Sequence, residues 1–270
     1  MLKGKNALVT GSTRGLGEAT AKVLASEGCN VMLNGFGEAD EIESLRAGME
    51  SEYGVSVRYH DADLADAAQI DALVDETVAA FGSVDILVNN AVIRYFHRID
   101  NFDRDDWNHA LAVNLTAPFI LTQRVLPGMR AKEWGRIVNI SSVLGLSGQT
   151  GRADYVTTKT ALIGLTRATA AETSDSLNIT CNAINPGSVL TPNSEKFVNQ
   201  LAEEKGISFD AAAEEYLLRR RQPGGFVLPE RAGKLIAFLC QDSSFDITGT
   251  SIPIDHGRSG TWLQDRTAPD

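Results

Sequence analysis

The chain has 270 residues, of which 43% are hydrophobic, enough for one α/β domain with a large buried core. Its formal net charge of −10 argues against general binding to nucleic acid or to an anionic membrane surface. No apolar run is long enough to span a bilayer, and the first residues contain no apolar signal region. The three cysteines and four histidines show no metal-ligand spacing, so we expect no metal and a cytoplasmic location.

Short apolar strands alternate with amphipathic helices along the chain. The pattern predicts strands at 6–10, 30–34, 56–60, 85–89, 135–141, 178–184 and 250–254. It predicts helices from a Gly-rich turn to about Gly28, over 38–53 and 66–81, around Asn114 to about 131, and over 154–173. Near-continuous apolar strands between such helices are typical of a parallel sheet covered on both faces. We therefore predict a Rossmann-type, doubly wound α/β fold in a single domain over residues 1–270.

One segment departs from this alternation. Residues 186–228 predict an irregular, partly helical insertion on the ligand-binding side of the sheet. Its basic run, residues 219–221, is expected at a solvated helix end, because cations favour helix C-termini.

A glycine-rich turn follows the first strand directly. Gly11, Gly15 and Gly17 stand where the backbone must turn tightly and enter a helix. A helix N-terminus attracts pyrophosphate, so this turn predicts a dinucleotide site. The spacing is G-x-x-x-G-x-G rather than the commoner G-x-G-x-x-G.

An acid–base site is predicted further along the chain. Tyr155 and Lys159 are four residues apart on a predicted helix, and therefore project from one face of it. Ser142 precedes Tyr155 by thirteen residues. A lysine ammonium beside a phenol favours the ionised phenol, which can then take a proton from an alcohol or return it to a carbonyl.

Taken together, these motifs resemble the classical short-chain dehydrogenases/reductases, in order and spacing, over nearly the whole chain. The resemblance implies hydride transfer between NAD or NADP and a secondary alcohol or ketone, by a homo-oligomer expected to be a tetramer. The motifs are Thr10-Gly11-x-x-x-Gly15-x-Gly17, Asp63-Leu64, Asn89-Asn90-Ala91, Asn114, Ser142, Tyr155-x-x-x-Lys159 and Asn185-Pro186-Gly187.

The same resemblance implies roles for individual residues. Ser142 would polarise the substrate oxygen, Tyr155 would be the acid/base, Lys159 would assist it and hold the nicotinamide ribose, and Asn114 would anchor a water in the proton relay. Trp262 would lie in a tail that closes over a neighbouring active site. The implied cofactor-binding residues are Gly11, Thr13, Arg14, Gly15, Leu16, Gly17, Asn34, Gly35, Phe36, Asp63, Leu64, Asn90, Ala91, Tyr155, Lys159, Pro186, Gly187 and Val189.

The residues leave the choice of dinucleotide open. Arg14 favours NADP, because a guanidinium pairs well with a 2′-phosphate. Glu38, Asp40 and Glu41 would repel that phosphate. Within the family, the stretches 34–37, 40–48, 62–64 and 247–250 resemble bacterial D-3-hydroxybutyrate dehydrogenases, which are NAD-dependent. This resemblance favours NAD slightly.

The substrate contacts of those enzymes are not reproduced. Arg94, Leu144, Arg152 and Ser188 stand where they place Gln, His, Lys and Trp. Leu144 replaces a hydrogen-bond donor, and a buried carboxylate without that partner loses about 1–3 kcal/mol. We therefore predict that 3-hydroxybutyrate is a poor substrate.

Two interpretations of the substrate site follow. Arg94 and Arg152 either clamp a different or bulkier anion, or lie on the surface while Leu144, Phe197 and Phe226 line a more apolar pocket. The first favours a hydroxy acid, with a sugar or polyol dehydrogenase and a 3-oxoacyl reductase-like enzyme as alternatives. A catalytically silent dinucleotide-binding module is disfavoured, because such proteins usually lose a residue of the catalytic set that is intact here.

Overall fold

A computed structural model of the protein describes residues 2–175 and 178–260. The strands in this part of the chain are β1 (Asn6–Val9), β2 (Asn30–Asn34), β3 (Val57–His60), β4 (Ile86–Asn89), β5 (Gly135–Ile140), β6 (Ile179–Pro186) and β7 (Ser251–Ile254). The α-helices are α1 (Gly15–Ser26), α2 (Ala39–Tyr53), α3 (Ala67–Phe81), α4 (Arg104–Leu111), α5 (Ala117–Ala131), α6 (Ala153–Glu172), α7 (Pro192–Lys205), α8 (Phe209–Arg219) and α9 (Pro229–Cys240).

The seven strands form one parallel sheet in the order β3-β2-β1-β4-β5-β6-β7. The chain winds outward from β1 through β2 and β3, then returns to place β4 on the other side of β1. Ligands of such sheets bind at the carboxyl ends of the strands, beside this reversal of strand order. The predicted Rossmann-type α/β fold is confirmed.

Two hydrophobic clusters cover the two faces of the sheet. One joins α1 and α9 through residues such as Leu24 and Ile236. The other joins α3 and α5 through residues such as Leu73 and Leu121. The strands between them are buried on both faces, which explains their nearly continuous apolar sequences.

Most predicted elements agree with the structure, but α9 was not predicted. Gly233 interrupts its apolar pattern, and glycine is a poor helix former. In the fold this glycine lies against α1, where a Cβ would come within 3.1 Å of the Val23 side chain. Close packing of α9 on α1 therefore outweighs local helix propensity.

The helical stretch around Asn114 has an internal irregularity. A π-helical segment, Ala112–Thr116, joins α4 to α5 and contains Asn114. Single π turns inside α-helices are frequent at functional sites. Apolar periodicity predicts the helix but does not reveal this extra residue in one turn.

The segment 186–228 is more regular than predicted. It contains α7 and α8, which pack against each other and bury Val198, Ala212 and Leu217. The first of these helices begins with a reciprocal capping box between Thr191 and Ser194.

Trp262 lies outside the described residues. Across residues 2–175 and 178–260, no helix is both long and apolar enough to cross a bilayer.

The first turn of α1 leaves no space for a side chain at Gly17. A Cβ there would lie 2.1 Å from the backbone oxygen of Gly11 and 2.5 Å from Asn90 Nδ2. We predict that Gly17→Ala lowers the free energy of unfolding by about 1–3 kcal/mol, as other overpacking substitutions do. Denaturant unfolding measures the change.

Gly48 provides the matched control. It lies on the exposed side of α2, and a Cβ there would meet nothing within 4 Å. Gly48→Ala should stabilise the protein by about 0.5–1 kcal/mol, because alanine loses less backbone entropy in a helix. Equal effects of the two substitutions would contradict the tight packing at Gly17.

Candidate active site

The loop after β1 turns at two glycines. Gly11 and Gly15 have φ angles of +60° and +61°, in the left-handed region that glycine adopts without strain. Arg14, the N-cap of α1, makes no side-chain capping hydrogen bond and is exposed. The first N–H groups of α1 therefore have no side-chain cap and are positioned to bind phosphate. This loop fits the pyrophosphate of a dinucleotide.

Hydrogen bonds fasten the end of β1 to the end of β4. The Thr10 hydroxyl accepts from the backbone N–H groups of Asn90 and Ala91, at 2.9 and 3.0 Å. Asn90 Nδ2 in turn donates to the carbonyls of Thr10 and Gly11, at 2.8 and 2.9 Å. Asn90 thus holds the glycine turn through its side chain and positions the predicted site from within the fold.

The turn after β2 is held by side chains from three directions. Asn34 is buried, and its amide donates to the carbonyls of His60 and Ala62. Thr13 Oγ1 donates to Phe36 O at 2.9 Å, and the Tyr59 hydroxyl donates to Gly35 O at 2.8 Å. Asn34, predicted as a cofactor-binding residue, therefore uses its side-chain amide to shape this turn.

Four other predicted cofactor-binding residues, near the carboxyl ends of β1, β2 and β3, differ in how accessible they are to solvent. Asp63 is half-buried, and its Oδ1 accepts from Ala65 N at 2.9 Å. Leu16 and Leu64 pack on the two hydrophobic clusters, one on each face of the sheet. Phe36 is exposed.

The turn after β5 is fixed to α6. Ser141 Oγ donates to Lys159 O at 2.8 Å, and Thr160 Oγ1 donates to Gly145 O at 3.1 Å. Ser142 is buried between these contacts, and its Oγ accepts from Leu144 N at 3.1 Å. Within the described residues no protein acceptor takes the Ser142 hydroxyl proton, so this proton is free to donate to a substrate oxygen.

Three cationic side chains surround the ring of Tyr155. The Nζ of Lys159 lies 5.7 Å from the ring centroid, and the guanidinium carbons of Arg152 and Arg94 lie 4.7 and 6.0 Å from it. This arrangement brings together four residues that the sequence analysis singled out: Tyr155, Lys159, Arg152 and Arg94. Tyr155 therefore lies in a locally cationic part of the site.

Lys159 is held in a desolvated position. It is 2% exposed, and its Nζ donates to Ile140 O at 2.6 Å. Burial lowers the pKa of the Lys159 ammonium to about 7, and the charge of Arg94 acts in the same direction. The charge of Lys159 is therefore sensitive to whichever anions occupy the neighbouring space.

Arg152 is the most unusual cation of this group. It is only 5% exposed, between the rings of Tyr155 and Phe96, whose centroid is 4.1 Å from its guanidinium carbon. Its Nε is buried without an acceptor, and no carboxylate of the described chain lies within ion-pair distance. Burial is the main cause that lowers the pKa of the Arg152 guanidinium; Arg94 and Arg220 act in the same direction, whereas Tyr155 and Asp154 oppose the shift.

Asn114 supports this region from the π-helical segment. Its Oδ1 accepts from Ile93 N at 2.9 Å, and its Nδ2 donates to Ile93 O at 3.0 Å. Asp154 Oδ2 accepts from Tyr95 N at 3.0 Å. Together these three bonds clamp the loop that carries Arg94, with Asn114 holding Ile93 before it and Asp154 holding Tyr95 after it.

At the end of β6, Gln222 is a residue that the sequence analysis missed. It is buried, accepts from Ser188 N, and donates to Ser188 O at 3.1 Å and to Gly225 O at 2.8 Å. Gly187 lies so close that a Cβ would come 2.3 Å from Gln222 Oε1. An isolated glutamine in an insertion forms no recognisable motif, so only the fold reveals that Gln222 positions Ser188 and packs closely against Gly187.

The basic run at the end of α8 departs from the prediction of a solvated helix end. Arg219 and Arg221 are exposed, but Arg220 is half-buried, with its guanidinium carbon 3.6 Å from the centroid of the Tyr216 ring. That ring packs against Phe226, at 5.6 Å between centroids.

The apolar interpretation of the pocket receives limited support. Leu144 and Phe226 are half-buried, whereas Phe197 is 47% exposed on α7. The buried, unpaired Arg152 contradicts the idea that both arginines lie on the surface. Only Arg94 is exposed, as the interpretation with surface arginines requires.

Comparison with known proteins agrees with this geometry. Residues 5–202 match the family model of the short chain dehydrogenases. The chain is 41% identical to a D-beta-hydroxybutyrate dehydrogenase from Cupriavidus necator, over 95% of this chain and 98% of that protein. It is 35% identical to a 3-oxoacyl-acyl-carrier-protein reductase from Aquifex aeolicus, over 95% and 98% of the two chains.

Among solved structures, an L-sorbose reductase from Gluconobacter frateurii, complexed with NADPH and L-sorbose, superimposes with a TM-score of 0.90. The alignment covers 96% of this chain and 98% of that one, at 29% identity. The resemblance proposed from the motifs is confirmed. The chain belongs to the short-chain dehydrogenase family, and is an oxidoreductase that acts on an alcohol or ketone with a nicotinamide dinucleotide.

Proposed function

We propose that the substrate is a hydroxy acid or oxo acid whose anionic group is held by Arg152. The observation that carries this proposal is the buried guanidinium beside the Tyr155 ring, without a carboxylate partner in the described chain. An unpaired buried charge is costly, and an anion that pairs with it removes part of that cost. A neutral polyol offers no such compensation.

Tyr155, Ser142 and Lys159 provide the proton chemistry of the proposed reaction. A bound nicotinamide dinucleotide supplies the hydride acceptor or donor. During oxidation the alcohol hydroxyl gives its proton to the Tyr155 phenolate, and during reduction the Tyr155 phenol returns a proton to the oxygen. Ser142 donates its free hydroxyl proton to the same oxygen and polarises the C–O bond.

Lys159 stabilises the phenolate form of Tyr155 in this proposal. Desolvation and the neighbouring Arg94 both disfavour the Lys159 ammonium. A dinucleotide and an anionic substrate would offset the positive charge nearby, so the ammonium form is favoured when the site is occupied. Asn114 is proposed to support the relay by fixing the Ile93 backbone and, with it, the substrate loop.

The similarity to D-beta-hydroxybutyrate dehydrogenases does not settle the acid. Leu144 is half-buried beside Ser142, and its side chain presents no hydrogen-bond donor. We propose that 3-hydroxybutyrate is a poor substrate, and turnover as fast as that of every other alcohol tested would contradict this. The sugar alternative is favoured by the similarity to L-sorbose reductase.

We propose NAD as the preferred dinucleotide. Glu38, Asp40 and Glu41 are exposed just after the β2 turn, where their charge opposes a 2′-phosphate. Arg14 is the residue that supports the alternative, NADP. A kcat/KM higher with NADP than with NAD would contradict this assignment.

We also propose that the chain is a single domain, with residues 186–228 at the substrate end, and that it forms a cytoplasmic homotetramer. Phe119 on α5 and Phe238 on α9 are exposed apolar residues that an assembly would cover. Light scattering that gave the mass of one chain would contradict the tetramer, and cell fractionation would test the location.

We predict that Tyr155→Phe lowers turnover roughly 100- to 10,000-fold, because the proton transfer loses its acid/base. Dinucleotide binding should survive, since the ring remains in place. Initial rates and a fluorescence titration with NADH measure the two effects. Tyr53→Phe, at the end of α2, is the control, and retention of a tenth or more of wild-type turnover by Tyr155→Phe would refute the assignment.

For the anion site, we predict that Arg152→Met lowers kcat/KM for an acid substrate by roughly 10- to 150-fold, the loss of a charged hydrogen bond. The primary amide of the same acid should change much less. Arg98→Met is the control, because Arg98 is an exposed arginine on the segment after β4, where it pairs with Asp100. Equal losses for acid and amide would mean that Arg152 only positions Tyr155.

A further inference from the structure

Arg220 differs from the arginines beside it. Arg219 forms an ion pair with Glu215, and Arg221 is exposed with a φ of +52°. Arg220, between them, is half-buried and stacked on Tyr216, and its Nη1 donates a long hydrogen bond, 3.5 Å, to Tyr216 O in its own helix. In the described chain no carboxylate forms an ion pair with Arg220. The Arg220 guanidinium therefore stacks on an aromatic ring and retains hydrogen-bonding capacity for a ligand.

The chain directs Arg220 toward the substrate end of the sheet. Gln222, two residues further on, binds both backbone groups of Ser188, which follows β6 at its carboxyl end. Val189 and Val227 form a backbone bridge next to this contact. The end of α8 is thus fastened to the segment predicted to face the nicotinamide, and Arg220 is carried with it.

The charges of this region affect one another. Burial lowers the pKa of the Arg220 guanidinium, and Arg94 lowers it further. Arg94 and Arg220 have the same influence on Arg152. The contacts agree with this, because Arg94 and Arg152 both lie against the Tyr155 ring, and Gln222 fastens the turn after Arg220 to Ser188 at the same end of the sheet. Three guanidinium groups from three different segments are therefore close enough to repel one another. The overall charge of −10 makes this local excess of cations more notable.

We propose that the substrate carries a second anionic group, bound by Arg220 with Arg94, in addition to the group held by Arg152. This inference rests on the proposed function, because it extends the same substrate site. One negative charge leaves two of three guanidinium groups without a counter-charge, whereas a dianion reduces the repulsion among all three. A second carboxylate and a phosphate share this chemistry, and Arg binds either of them bidentately.

Binding to the NAD-saturated protein tests the inference without requiring turnover. Calorimetry compares butyrate, glutarate and 3-phosphonopropionate, which carry one carboxylate, two carboxylates, and a carboxylate with a phosphonate. We expect at least one dianion to bind tenfold or more tightly than butyrate. The tighter of the two dianions identifies the kind of second group.

Substitutions locate the second contact. Arg220→Met should remove most of the advantage of the dianion and leave butyrate nearly unchanged, whereas Arg220→Lys should keep part of it. Arg219→Met, one residue away and outside the site, should change nothing. Loss of butyrate binding in Arg220→Met to the same extent as dianion binding would show a structural role and overturn the inference.

The outcomes separate the two proposals. Equal affinity for all three ligands, with Arg152→Met weakening each of them, refutes the second anion site and leaves the proposed function intact. An advantage for the dianion that persists in Arg220→Met also refutes the role of Arg220. Failure of all three ligands to bind, or binding that is indifferent to Arg152→Met, contradicts both proposals.

Discussion

A guanidinium buried without a protein counter-ion is the constraint on which this account of the substrate site depends. Arg152 is held between two aromatic rings, and one of these is the ring of Tyr155. Aromatic faces attract a cation but do not accept its N–H groups as a carboxylate does. The fold therefore retains a cation whose hydrogen-bonding capacity is left for a ligand, next to the group assigned to proton transfer.

The sheet makes this arrangement possible. Loops after β1, β4, β5 and β6 meet at the carboxyl ends of the strands, and each is fixed by side chains rather than left to its own conformation. Asn90 fastens the first two loops, Ser141 fastens the third to α6, and Gln222 fastens the fourth. Such fixed positions reduce the reorganisation needed when a dinucleotide and a substrate meet.

Much of this was predictable from sequence, because strands buried on both faces and a glycine turn have strong local patterns. The fold and the placement of Tyr155 and Lys159 on one face of α6 follow from those patterns. Helix α9 was not predicted, since its Gly233 is explained only by contact with α1. The π turn at Asn114 and the role of Gln222 also depend on tertiary contacts. Arg220 was expected in solvent, because charge runs at helix ends usually are, whereas in the fold it is half-buried against Tyr216.

An ion pair between Arg152 and Asp154 is the alternative to the central claim. Asp154 Oδ1 is buried without a donor two residues from Arg152, so a small shift would let the two groups pair and make an external anion unnecessary. A crystal structure of the protein with NADH and a short carboxylate, such as butyrate, distinguishes these states most directly. Our account predicts carboxylate oxygens about 3 Å from the Arg152 Nη atoms. An Arg152–Asp154 ion pair, with the carboxylate bound elsewhere or not at all, would contradict it.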